Sequence, residues 1–214
     1  MLYYKMSAWA DKFKVRNMVR NLTVSTNEVN ADIVQVQEHD VRPDTPRPDR
    51  LRIGVDMGGV CVHKAATYEN DAVEFKDSLN MEGCVDALRL LSDAGHTIVL
   101  VSFCGRRRAN DTRDMLKREY PKLFDEVYFV KSTKFKHAIA ESRGLDVMID
   151  DRLDVLKSMP GVTPIHFIAD VPLNLRDKKG SIFEAIDWNA VVTEVGKQRS
   201  KRKLVTGHSE KICY

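Results

Sequence analysis

Three apolar runs in this chain end on residues that can do chemistry. IGVD closes on Asp56, TIVLVS closes on Ser102, and VMIDD closes on Asp150 and Asp151; a fourth run, EVYFV, is followed at once by Lys131. An aspartate at the mouth of a buried strand is costly unless a cation or hydrogen-bond donors compensate it. Three carboxylates in one place repel one another, so either one keeps a proton or a divalent cation sits among them. Mg²⁺ suits an all-oxygen donor set. Gly58 and Gly59 follow Asp56 and allow a tight turn, through which a backbone carbonyl or N–H can approach a ligand. The Ser102 hydroxyl and a lysine can donate to phosphate oxygens. A carboxylate, a divalent cation and a lysine around one phosphoryl group make a phosphoryl-transfer site with a covalent aspartyl-phosphate.

These residues meet only if the runs that carry them are neighbours in one sheet. From Leu51 to about Val195 strand and helix patterns alternate. Strands are predicted at 51–55, 97–101, 126–130, 147–149 and 164–168. Helices are predicted at 82–94, 111–119, 135–143, 153–157 and 182–195, with Gly95, Pro121, Gly144 and Pro160-Gly161 as stops. Such alternation predicts an α/β fold, a three-layer doubly wound parallel sheet with helices on both faces. Wholly apolar strands such as TIVLV fit burial on both sides. Ligands bind such sheets beyond the carboxyl ends of the strands, where Asp56, Ser102, Lys131, Asp150 and Asp151 all fall.

The rest of the chain frames this domain. Its 214 residues suit one domain with appendages, and 43% hydrophobic with 30% charged residues is an ordinary globular composition. A net charge of +3 is too small to imply nucleic-acid binding by itself. The four cysteines form no C-x-x-C pair, which argues against a zinc knuckle and for a reducing, cytoplasmic setting. No stretch is apolar enough for a membrane span. Residues 1–50 read as an extension, with a basic amphipathic helix over 5–20, a short strand over 32–37 and a proline-rich linker, RPDTPRPDR. Asn21-Leu22-Thr23 matches a glycosylation sequon by chance. Residues 196–214 form a basic, aperiodic tail whose KQRSKRK run reads either as a solvated end or as a nuclear-import or nucleic-acid contact sequence.

In order, IGVDMGGV, TIVLVS, a lysine-bearing segment and VMIDDR resemble the four motifs of the haloacid dehalogenase (HAD-like) superfamily. MEGCVDALRLLSDAGHTIVLVS resembles the helix-turn-strand before its second motif, and DWNAVVTEV its closing helix. The resemblance covers 51 to about 195. It implies Asp56 as nucleophile and Mg²⁺ ligand, the carbonyl of Gly58 as a second ligand, and Asp150 and Asp151 as further metal ligands. It implies Ser102 as holder of the phosphoryl oxygens and a lysine to neutralise charge in the transition state. Lys136, which precedes Ile139 and Ala140 at helical spacing, is favoured over Lys134, and both over Lys131.

Gly58 is the departure. Most phosphatases of this superfamily carry an aspartate there that protonates the leaving oxygen and then activates water, help worth roughly 10²- to 10⁴-fold. The insertion points after Val60 and after Val130 leave no room for a folded cap domain, which demotes dehalogenase chemistry and implies an open site. Arg106 and Arg107, just after Ser102, would stand at its rim beside Gly58 and Gly59, either gripping a polyanion or solvated. His63 and His137 are candidates for the missing acid/base, while Cys61 and Cys104 have little support as nucleophiles. The expectation is a capless, Mg²⁺-dependent phosphohydrolase acting through an aspartyl-phosphate on a phosphorylated partner: a nucleotide, a nucleic-acid end or a phosphoprotein. The alternative is a catalytically weak or silent phosphate- and metal-binding protein.

Overall fold

The computed structural model describes residues 33–38, 49–63 and 79–209, with the side chains of 33–38, 106–107 and 203–209 outside that description. The helix expected over 5–20, the linker over 42–48 and the sequon at Asn21 lie outside the described residues.

Among the described residues, seven strands form one sheet: β1 (Ile33–Glu38), β2 (Arg52–Val55), β3 (Thr97–Phe103), β4 (Glu126–Val130), β5 (Val147–Asp150), β6 (Thr163–Phe167) and β7 (Phe183–Ala185). Their order is β1-β4-β3-β2-β5-β6-β7. β2 to β7 are parallel, and β1 adds an antiparallel edge against β4. The chain enters at the centre on β2, winds outward through β3 and β4, then returns to β5 on the other side. The sheet's topological switch therefore lies between β2 and its two neighbours.

Side chains along each strand alternate between two apolar layers, as a pleated strand requires. Ile53, Val55, Ile98, Leu100 and Phe129 pack with Leu88, Met115 and Val191 from helices α1 (Cys84–Asp93), α2 (Arg106–Glu119) and α5 (Trp188–Ser209). Val99, Val101, Tyr128 and Met148 pack on the opposite face with Ile139 and Val155 from α3 (Lys134–Ser142) and α4 (Leu153–Lys157). The result is the three-layer, doubly wound architecture that the alternation predicts. Gly54 is required by its neighbours: a Cβ there would stand 2.5 Å from Leu145 Cδ1 and 2.6 Å from the Met148 sulfur. The connection from β4 to β5 holds α3 alone, so no cap is inserted there.

Three predicted helix boundaries are corrected. Residues 182–187 do not begin the last helix; Phe183–Ala185 extend the sheet beside β6. The helix starts at Trp188 because the Asp187 carboxylate accepts the Ala190 N–H at 2.8 Å, capping its first turn. That helix also continues past Gly196 to Ser209, where an aperiodic tail was expected. Glu194 holds Lys197 at 3.1 Å and Gln198 at 2.7 Å across the glycine. Arg199 then pairs with Asp49 and Arg202 with Asp146, each at 2.6 Å, docking the basic run on the rest of the domain. α2 begins five residues before the predicted Asp111, in keeping with the good helix propensity of its arginines. Among the described residues, no helix is long and apolar enough to cross a membrane.

Candidate active site

β2 ends one residue before Asp56, whose N–H still donates to Ile149 O of β5 at 3.0 Å. This bond holds the tip of β2 against the tip of β5, where Asp150 and Asp151 follow. Carboxylate oxygens of Asp56, Asp150 and Asp151 all lie within 4.8 Å of one another, and all three residues are buried.

One cation enters this cluster from the opposite layer. Lys136, in the first turn of α3, places Nζ 2.7 Å from Asp150 Oδ2 and 2.9 Å from Asp56 Oδ1. It is 1% exposed, less than nearly any lysine in a folded chain. Burial opposes its charge, but Asp150 and Asp56 outweigh burial and hold the ammonium above its ordinary range. Burial pushes the Asp150 carboxyl up to about 7, with Lys136 opposing and Asp56 adding to the rise. Asp150 Oδ1 accepts the Arg152 N–H at 2.9 Å, so both of its oxygens are held.

Ser102 lies two residues beyond Leu100, the partner of Val55, and is buried on the strand beside Asp56. Lys134 and Lys131 are exposed, and neither forms an ion pair with the carboxylates; Lys136 alone of the three candidates does so. Arg106 and Arg107 occupy the first turn of α2, and their side chains lie outside the described residues.

The coil after Asp56 is tightly wound. Cys61 and Val62 both donate backbone N–H groups to Met57 O, and Gly59 N–H donates to Val62 O at 2.7 Å. Gly59 has φ 82°, a left-handed conformation that favours glycine. Gly58 lacks positive φ, so its want of a side chain is not imposed by backbone conformation. Two large side chains from the helical layer hold this coil: Trp188 Nε1–H donates to Val60 O and Tyr120 O–H to Cys61 O, each at 3.0 Å. Sequence reasoning missed both, although the aromatic residue just after a helix-capping Asp187 was a usable signal. It also missed His166, buried at the register position of Asp150, whose Nε2 lies 3.2 Å from Asp151 O.

The remaining candidates divide. Burial pushes the Cys104 thiol up to about 12 and the Cys61 thiol well above its usual value, so neither is a nucleophile near neutral pH. His137 faces Glu141 of its own helix at 3.9 Å. His63, at the end of the coil, sets Nδ1 3.0 Å from Asp170 Oδ2.

Three solved structures share this architecture. A D,D-heptose 1,7-bisphosphate phosphatase from B. bronchiseptica, solved with magnesium and phosphate, superposes with a TM-score of 0.56 at 15% identity, covering 69% of this chain and 99% of its own. A structure described as a HAD-like phosphatase, from Mesorhizobium loti, gives 0.56 at 11% identity over 81% and 96%. The fold is shared with these phosphatase structures. A heptose bisphosphate phosphatase from Burkholderia thailandensis gives 0.51 at 16% identity over 68% and 97%. Neither a protein-family model nor a curated protein sequence matches the chain. In this fold, the strand tips at the topological switch carry Asp56, Asp150 and Asp151.

Proposed function

We propose that the protein is a Mg²⁺-dependent phosphohydrolase whose nucleophile is Asp56. The observation that carries this reading is the buried meeting of Asp56, Asp150 and Asp151 with Lys136 at one strand edge. Three carboxylates against one ammonium leave an excess of negative charge in a buried place. An all-oxygen donor set of that charge fits a small, hard divalent cation. Asp56, Asp150 and Asp151 would hold the ion, with the Gly58 carbonyl as a further ligand. When bound, Mg²⁺ would polarise a phosphoryl oxygen and offset its charge.

The chain's own groups supply the rest. An Asp56 carboxylate oxygen attacks phosphorus, the ester P–O bond breaks, and an aspartyl-phosphate forms. Lys136, kept protonated by its partners, offsets charge that grows on the equatorial oxygens; Ser102 donates a hydrogen bond to them. Water then attacks phosphorus and returns Asp56 to its free carboxylate. The β4–β5 connection carries no cap, which supports a large or macromolecular phosphorylated substrate: a nucleotide, a nucleic-acid end or a phosphoprotein.

Phosphate release from a panel of such esters with Mg²⁺, wild type against Asp56→Asn, tests this. Release that depends on Asp56 is expected, and equal background rates in the two proteins would refute it. Gly58 favours a second reading, a silent phosphate- and metal-binding protein. In that case Mg²⁺ and a phosphoryl mimic such as beryllofluoride would still bind without turnover of any ester.

A further inference from the structure

Resting on the phosphohydrolase reading, we infer that His63, oriented by Asp170, is the catalytic acid and base of this site. Breaking the ester bond leaves negative charge on the departing oxygen, and hydrolysis of the aspartyl-phosphate needs a base for the attacking water. Position 58 has no side chain to serve either step.

Several other titratable groups at this strand edge are committed elsewhere. Lys136 is held as a cation by two carboxylates, and Asp150 is bound by Lys136 and the Arg152 N–H. Asp151 belongs to the carboxylate cluster, and the Cys104 thiol is too weakly acidic to shuttle a proton near neutrality. His137 lies on α3 against Glu141.

His63 differs in both position and partner. The wound coil that carries it runs directly from Asp56, and Val62 bridges back to Gly58, the position that lacks a carboxylate. Trp188 and Tyr120 fix that coil, and His63 N–H donates to Leu79 O at 2.9 Å. Asp170 comes from the turn after β6, braced by Val171 N–H donating to Ile168 O at 3.2 Å. Two fixed segments, 107 residues apart, thus bring an imidazole against a carboxylate at the carboxyl edge of the sheet. A carboxylate facing Nδ1 requires the proton on that nitrogen, which makes Nε2 the working atom. The His63 side chain is 48% exposed, so an incoming ester can reach it.

The proton count closes. In the first step Nε2–H of the imidazolium protonates the leaving oxygen as its P–O bond breaks. In the second, neutral Nε2 takes a proton from the water that attacks the aspartyl-phosphate. Asp56 is released, phosphate and alcohol leave, and the imidazolium is restored.

A leaving group that needs a proton tells this role from a merely structural one. His63→Gln in the full chain should lower kcat/KM for an alkyl ester, glycerol 2-phosphate, by roughly 10²-fold or more, and for 4-nitrophenyl phosphate far less. Added imidazole should restore part of the loss. Asp170→Asn should reproduce the same split more weakly, and Asp170→Glu should recover it. If both esters lose equally, or neither loses, while Asp56→Asn still abolishes turnover, His63 has no such role and the phosphohydrolase reading stands. If wild type matches Asp56→Asn on both esters, both readings fall. Thermal unfolding of His63→Gln guards against a folding defect, and the Asp170 pair decides the matter if that variant unfolds.

Discussion

Lys136 and Asp150 form a buried ion pair at 2.7 Å, with the lysine 1% and the aspartate 0% exposed on their side chains. Neither group could be buried charged alone, so each depends on the other. Lys136→Met keeps the stem of the side chain and removes the charge. In metal-free protein at about pH 8 it should cost about 3 kcal/mol, because a buried carboxylate loses its partner. Turnover should fall by roughly 10²- to 10³-fold through lost stabilisation of transition-state charge. Urea unfolding and phosphate release measure the two effects; an unchanged midpoint would show that the pair is not what holds these strand tips.

The same pair gives a pH dependence whose sign is fixed. Asp150 is pushed up to about 7, above its ordinary value, chiefly by burial. A carboxyl raised on folding contributes stability that is full below about pH 4 and is lost as pH rises through about 7. Metal-free protein should therefore lose stability across that window, and Asp150→Asn should lose less. A divalent cation competes with that proton, so the gain in Tm from Mg²⁺ should grow over the same range. A Tm gain independent of pH, in wild type and Asp150→Asn alike, would contradict the assignment.

Gly54 gives a test of packing rather than charge. A Cβ at this position would lie within 2.6 Å of both Leu145 and Met148, on the face that α3 covers. Overpacking of a dense layer costs about 1–3 kcal/mol, and here the strand also carries Asp56. Gly54→Val should lower the unfolding midpoint accordingly and weaken Mg²⁺ binding, because β2 must shift against β5. Calorimetry checks both, and a variant as stable as wild type would mean that Leu145 and Met148 re-pack freely.

The strand tips were legible because each apolar run stops at a residue that cannot be buried without a partner. Asp56, Ser102 and Asp150 announce their own positions, and the alternation of elements fixes which edge they share. Helical spacing to Ile139 and Ala140 favoured Lys136 over Lys134, and the choice turns on where α3 begins. The structure starts it at Lys134, which turns the third residue inward. β7 was hidden because Ser181 to Ile186 is compatible with either period until Asp187 is recognised as a cap. The Arg199–Asp49 and His63–Asp170 contacts left no local trace, since each joins segments more than a hundred residues apart.

Gly58 supplies the last prediction. Its backbone lacks positive φ and it is half-buried, so an aspartate is compatible with the coil's conformation. A carboxyl there would stand two residues past the nucleophile and offer a second acid and base. If His63 already does that work, Gly58→Asp should help most where His63 is gone. In the His63→Gln background it should raise turnover of glycerol 2-phosphate roughly tenfold or more, and by a smaller factor with His63 present. The double-mutant comparison reads this directly, as a departure from additivity between sites that serve one step. Equal gains in both backgrounds would mean that the two groups act on different steps, and that His63 does not stand in for the carboxylate that position 58 lacks.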